Sequence, residues 1–241
     1  MCTVTFIPKS LDGFILTSNR DEAPARRTIQ PKVYNINGAK LVFPKDEVAG
    51  GTWIGLSSKK RLICLLNGGF TAHEREDAYR MSRGSIVTDL LISEDVFTAI
   101  DNYNLKGIEP FTIILVDWEN DLVLYELVWD GSISHFSEKP LAPQIWSSSL
   151  LYSEEMKKKR EVWFSEFIFK HLNPNPLELL EFHKTAGEGR KETDLIMDRG
   201  FVKTKSVTQV SKSKLINFRY EDLQTSEVNE VEILDHWKIK L

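Results

Sequence analysis

Cys2 stands directly after the first methionine, and a run of four polar residues, Asn19-Arg20-Asp21-Glu22, follows one predicted hairpin later. A cysteine that becomes the first residue of a chain carries a thiol and a free α-amine on one carbon, a nucleophile and its own base. Only the thiolate attacks, and an unperturbed thiol of pKa about 8.5 is ionised to roughly a few per cent at neutral pH. An α-amine of pKa about 7.7–8.0 keeps a useful neutral fraction and can accept the thiol proton. Such a centre needs no histidine. It needs a cation to steady the thiolate and carboxylate or amide groups to hold the amine, and Arg20, Asp21 and Asn19 are residues of those types. The other reading makes Cys2 a small buried residue at a strand start and the polar run an ordinary turn.

The elements that must position these residues are mostly short strands. Thr3 to Phe6 is rich in β-branched and aromatic residues, Asp12-Gly13 is a turn signal, and Phe14 to Thr17 is the returning strand, which carries Arg20 and Asp21 back towards Cys2. Glu22 to Pro31, with two prolines, reads as a surface loop. Val33 to Tyr34 and Lys40 to Phe43 flank a second hairpin turn, and Gly50-Gly51 breaks the chain before strands at Thr52 to Leu56 and Leu62 to Leu66. Ser82 to Ile92 predicts a helix with Ile86, Leu90 and Leu91 on one face and Ser82 as cap; Glu94 to Asp101 predicts another. Phe111 to Val116, Leu122 to Trp129, Ile133 to Phe136 and Ile145 to Ser147 continue as strands, the first apolar enough to be buried on both faces. A helix from Ser153 ends at Asn173-Pro174-Asn175-Pro176, a helix-helix corner, and Leu177 to His183 forms the next. Phe201 to Val210, Leu215 to Tyr220 and Val231 to Leu234 complete the strands. This order does not alternate strictly, so a doubly wound parallel sheet is disfavoured, and the hairpins point to two antiparallel sheets packed face to face with helices outside, in one domain over 1–241.

Composition narrows the partners. Hydrophobic residues at 41% suffice for a sizeable core, and a net charge of -4 gives no basic excess to displace phosphate counterions. No nucleic-acid partner is expected, and Lys157-Lys158-Lys159-Arg160 reads as the solvated face of a helix. Two cysteines, Cys2 and Cys64, are too few for a disulfide framework. No segment reaches the ~18 apolar residues of a membrane span, and the N-terminus lacks the features of a signal peptide. A cytoplasmic location is therefore expected, where aminopeptidase can remove Met1 before a small side chain.

Met1-Cys2, Asn19-Arg20-Asp21-Glu22, Gly50-Gly51-Thr52-Trp53-Ile54-Gly55, Leu66-Asn67 and Ser82-Arg83-Gly84 occur in that order. Together they resemble the NRDE family, also called the transport-and-Golgi-organisation family, which looks related to N-terminal-nucleophile hydrolases of the choloylglycine hydrolase and penicillin V acylase type. The match is good over roughly the first ninety residues and weak beyond. The resemblance implies an α+β, four-layer αββα sandwich and hydrolysis of carbon–nitrogen amide bonds in a small acylated substrate, without a cofactor or metal. It makes Cys2 the nucleophile, Arg20 the thiolate's cation, Asp21 the group that orients the α-amine and Asn67 an oxyanion donor. One aimed donor of that kind typically contributes ~3 kcal/mol. The family pattern has a second asparagine where this chain has Ser148, and an arginine where it has Lys205, which lacks the bidentate fork. Those two departures motivate the alternative, a non-catalytic carrier of the same fold for a hydrophobic ligand such as haem or an acyl thioester. Asn19 and Trp53 are candidate substrate contacts, although a tryptophan in a glycine-flanked strand is more commonly core.

Other constellations carry less. His73-Glu74-Arg75-Glu76-Asp77 lacks the second histidine of a zinc helix and reads as a solvated loop. His135, His171, His183 and His236 have no ligand spacing, Gly187-Glu188-Gly189 is a loop, and Cys64, in mid-strand, reads as a buried inert thiol.

Overall fold

The computed structural model describes residues 3–9, 12–234 and 237–240. The chain divides into two compact units, one of Met1–Arg26, Leu141–Ser147 and Tyr152–Leu241, the other of Arg27–Pro140 and Ser148–Leu151. Among the described residues each unit is built on one seven-stranded antiparallel sheet.

In the first unit the strands are β1 (Thr3–Pro8), β2 (Phe14–Glu22), β10 (Gln144–Ser147), β11 (Lys203–Lys212), β12 (Ile216–Asp222), β13 (Val228–Leu234) and β14 (Lys238–Lys240), ordered β10-β1-β2-β11-β12-β13-β14. Helices α3 (Glu154–Lys170) and α4 (Pro176–Thr185) pack on one face, where Ile7 and Ile15 of the sheet meet Phe164, Leu179, Phe182 and Leu195. Asn175 caps α4 in a reciprocal capping box with Glu178, and Pro176 opens the helix where its missing N–H costs nothing.

The second unit holds β3 (Thr28–Ile36), β4 (Ala39–Asp46), β5 (Ile54–Ser57), β6 (Arg61–Asn67), β7 (Phe111–Asp117), β8 (Val123–Trp129) and β9 (Ser134–Lys139), in that spatial order. Helices α1 (Arg83–Ile92) and α2 (Val96–Asp101) bury Ile86, Val87, Leu90, Leu91, Val96 and Ile100 against one face of it. Asn37 and Gly38, at φ 47° and 82°, make the tight β3–β4 turn, whose positive dihedrals suit the Asn-Gly pair. No described helix is long and apolar enough to cross a membrane.

The α+β class of two antiparallel sheets flanked by helices is as the sequence predicts. Three local expectations change. The second strand does not stop at Thr17: β2 runs on to Glu22, so the four-residue polar run is sheet and not turn. Glu22 to Pro31 is not one loop, because β3 begins at Thr28; Pro31, unable to donate to a ladder, sits where the β3–β4 register shifts on an edge strand. Lys157 to Arg160 is not a uniformly solvated face, since Arg160 is fully buried.

Candidate functional site

The end of β2 is a buried polar strip. Asn19 (0% exposed) stands between β1 and β11, opposite Thr3 and Val207, and Arg20 (3%) and Asp21 (3%) continue along β11 opposite Ser206 and Thr204. A strand alternates its side chains. Asn19 and Asp21 therefore share the helix-covered face with Ile15, and Arg20 turns to the other. Cys2, expected as the nucleophile, lies outside the described residues.

Asp21 is held by two hydroxyls. Tyr152 donates to Oδ2 and Thr204 Oγ1 donates to Oδ1 at 2.6 Å. Thr204 Oγ1 in turn accepts from the backbone N–H of Met197 at 2.8 Å. The Tyr152 ring lies under the Arg160 guanidinium, whose carbon is 3.5 Å from the ring centroid. Arg160 donates to Thr3 Oγ1 at 2.5 Å and to the carbonyls of Thr193 and Asp194. One cation thus braces the start of β1, the ring that holds Asp21, and the segment leading into β11.

Asn19 is consumed by its own scaffold. Its Nδ2 donates to the carbonyls of His183 (3.2 Å) and Leu195 (2.9 Å), which fixes the amide orientation. Its Oδ1 then accepts from His183 Nδ1 at 2.8 Å, leaving Nε2 bare to accept from Thr5 Oγ1 at 2.7 Å. Burial, with Arg160 as a lesser cause, pushes the His183 imidazole down to about 3, so it is neutral.

Arg20 lies 3.7 Å from the Glu22 carboxylate. Lys205 sits in the β11 irregularity between Thr204 and Ser206, 5% exposed, and its ammonium donates to the carbonyls of Pro24 and Arg26. Burial and then the Arg20 charge lower its pKa below the usual lysine value.

In the second unit, Asn67 ends β6 and leads into Gly68-Gly69, with Gly68 at φ 90°. Three successive carbonyls of this turn are each clamped by a hydroxyl. Ser148 Oγ donates to Asn67 O at 2.6 Å, Thr112 Oγ1 to Gly68 O at 3.0 Å, and Ser149 Oγ to Gly69 O at 2.7 Å. A hydroxyl has one hydrogen, and Ser148 directs it to Asn67. Trp53 is 5% exposed, and its carbonyl accepts from Leu65 N at 2.7 Å. The glycine motifs flanking it are packing devices: a Cβ on Gly51 would stand 2.6 Å from the Gly84 carbonyl carbon, and one on Gly84 2.8 Å from Thr52 O.

The structure therefore brings Asn19, Arg20, Asp21 and Lys205 together on β2 and β11 of one unit, and Asn67 and Ser148 together in the other, with Trp53 one strand away from Asn67. Sequence reasoning missed Tyr152, Arg160, His183, Thr204 and Thr112. Two of them have a legible signal. Arg160 is four residues before buried Phe164, and His183 four after buried Leu179, each on its helix's core stripe.

The family model described as Transport and Golgi organisation 2 matches residues 1–183. No curated protein sequence matches the chain. Among solved structures, the chain is similar to a variant of conjugated bile acid hydrolase from Clostridium perfringens at TM-score 0.60 and 9% identity, covering 99% of this chain and 96% of that one. A mutant of the same hydrolase, in which its own second residue is a cysteine changed to alanine, gives 0.61 and 10%, covering 100% and 96%. A Caenorhabditis elegans ortholog of N-acylethanolamine-hydrolyzing acid amidase gives 0.58 and 14%, covering 86% and 92%. At these identities the likeness is one of fold.

Proposed function

The chain belongs to the Transport and Golgi organisation 2 family, and from that premise we propose that it is an N-terminal-nucleophile hydrolase of carbon–nitrogen amide bonds, with Cys2 as nucleophile. The observation that carries this reading is the buried polar strip. Thr3, the neighbour of Cys2 in sequence, pairs with Asn19, and the next two residues of β2 are an arginine and a carboxylate that are both removed from solvent. Burying two ionic side chains at a strand end costs several kcal/mol without partners. A strand needing only stability has cheaper residues to place there. The neighbours' fold supports the reading, since those proteins are named as a bile acid hydrolase and an acid amidase.

In this reading the Cys2 α-amine takes the thiol proton and the thiolate attacks the substrate carbonyl, with Arg20 steadying the anion. The tetrahedral oxyanion needs an aimed N–H donor, the role that the family resemblance gives to Asn67; within its own unit Ser148 holds the Asn67 backbone. The α-ammonium, oriented by Asp21, protonates the leaving nitrogen as the carbon–nitrogen bond breaks and an acyl-enzyme forms. The same amine then takes a proton from water, whose hydroxide attacks the thioester and releases the acid. Lys205 supplies a cation beside Arg20, which contributes to holding the thiolate.

One observation favours a second reading, a non-catalytic carrier of an acylated or other hydrophobic ligand. The Ser148 hydrogen is directed to a backbone carbonyl, and the Lys205 ammonium is engaged by two more, so neither matches a free donor aimed at substrate. The test begins with intact-protein mass spectrometry, because a mature chain that retains Met1 has no free amine on Cys2 and the hydrolase reading fails. With Met1 removed, an acylating probe is expected to label Cys2 and to turn over, and Cys2→Ser to abolish both. Labelling-free binding of an acyl thioester that is unchanged by Cys2→Ser favours the carrier.

A further inference from the structure

Tyr152 belongs to none of the motifs that carry the resemblance, yet with Thr204 it is one of two residues whose hydroxyls hold Asp21. It is 3% exposed and lies just before α3. Its hydroxyl donates to Asp21 Oδ2, and the sulfur of Met197 lies 3.8 Å from the tyrosine oxygen. The ring is fixed by stacking under Arg160 at 3.5 Å, with Arg199 at 5.5 Å. Arg160 is anchored at three further points, on Thr3 and on the carbonyls of Thr193 and Asp194. We propose that Tyr152 is a positioning residue of the Cys2 centre: braced by Arg160, it occupies one carboxylate oxygen of Asp21 and so sets how strongly that carboxylate holds the chain's α-amine.

The proposal rests on the reading of Asp21 as the group that orients the amine. A carboxylate fixed by one hydroxyl on each oxygen cannot rotate, and each donor competes with the ammonium for lone pairs. A carboxylate with an empty oxygen would bind the ammonium harder and keep it protonated, and a protonated amine is no base. A carboxylate free to swing would lose its aim. The two hydroxyls avoid both outcomes. The charged groups around this pair include Arg20 and Glu22 on β2, Lys203 and Lys205 on β11, and the two arginines on the ring. None of these five cations needs to change its own charge for the effect.

The experiment is competitive labelling of the Cys2 α-amine with acetic anhydride across pH, read by mass spectrometry on the whole chain after Met1 removal is verified. Tyr152→Phe keeps the ring on Arg160 and deletes the hydroxyl. It is expected to move the midpoint of amine labelling upward by about one pH unit, because a carboxylate that loses one donor favours the charged form of the amine. Asp21→Asn, which removes the anion, is expected to move it downward. If Tyr152→Phe leaves the midpoint unchanged and only lowers Tm, Tyr152 is a structural residue and the proposal is overturned. If Asp21→Asn also leaves the midpoint unchanged, the reading of Asp21 fails with it, and the two failures are told apart. Should Tyr152→Phe not fold, the native chain grown with 3-fluorotyrosine has a more acidic hydroxyl that donates more strongly, and the midpoint is then expected to fall; an unchanged midpoint there counts against the proposal equally.

Discussion

Ser148 Oγ donates a 2.6 Å hydrogen bond to the backbone carbonyl of Asn67, joining two residues of the site expected from the sequence. The serine acts on the asparagine's backbone and sets the turn from which that side chain projects. Ser148→Ala leaves a carbonyl without its partner where the residue is 1% exposed, so a loss of about 1–3 kcal/mol is expected. The urea midpoint should fall with an unchanged m value. A loss below about 0.5 kcal/mol would mean that water replaces the hydroxyl and the clamp is unimportant.

Gly84 tests whether the Ser-Arg-Gly motif is chemical or architectural. It lies in the first turn of α1, where alanine ordinarily gains up to about 1 kcal/mol over glycine. Here an alanine Cβ would meet Thr52 O at 2.8 Å and Thr52 N at 3.0 Å, both backbone atoms that cannot swing aside. Gly84→Ala is therefore expected to destabilise by about 1–3 kcal/mol despite the better helix propensity. Thermal unfolding that shows equal or higher stability would place the motif's meaning elsewhere.

Arg160 tests the brace. Lysine would keep the charge but not the planar fork that reaches Thr3, Thr193 and Asp194 while covering the Tyr152 ring. Arg160→Lys is expected to cost about 3 kcal/mol, in the range for breaking a buried charged network. Amide hydrogen exchange should quicken first in β1 and around Thr193–Leu195. Exchange that quickens only along α3 would mean that the arginine stabilises its helix and not the strand beside it.

The strands were largely legible because their alternation is written in β-branched and aromatic residues, as in Thr3 to Phe6 and Phe111 to Val116. The polar end of β2 was not. Asn19 to Glu22 has the composition of a turn, and the hydroxyls, carbonyls and imidazole supplied by residues more than a hundred positions later stabilise it as buried strand. The same holds for Arg160, which looks like the fourth member of a solvated basic run until Thr3 and Tyr152 are placed against it. Candidate residues such as Arg20, Asp21 and Asn67 could be named from motif order. Their partners could not, because a hydrogen bond between Asp21 and Tyr152 leaves no periodicity in either segment. Pro31 misled for the opposite reason: a proline reads as loop, yet an edge strand with a register shift accommodates it.

His183 gives the fold a predictable acid limb. Its imidazole is fully buried between Asn19 and Thr5, and burial together with Arg160 depresses its pKa from 6.5 to about 3. Above pH 6.5 the group is neutral in the folded and unfolded chain alike, and its contribution to stability is complete. Between pH 6.5 and 3 the unfolded chain takes up a proton that the folded chain refuses, so the unfolded state binds more protons and stability falls with pH. The slope approaches about 1.4 kcal/mol per pH unit below 6.5 and flattens beneath the folded-state value. Urea midpoints measured from pH 7.5 to 5.0 stay above the range where most carboxylates titrate. His183→Gln is expected to start less stable at pH 7.5, because two buried hydrogen bonds are re-formed imperfectly, but to lose this portion of the slope. Parallel pH dependences for the two chains would show that the imidazole charges freely in the folded state, and that the Asn19–His183–Thr5 chain opens to water on acidification.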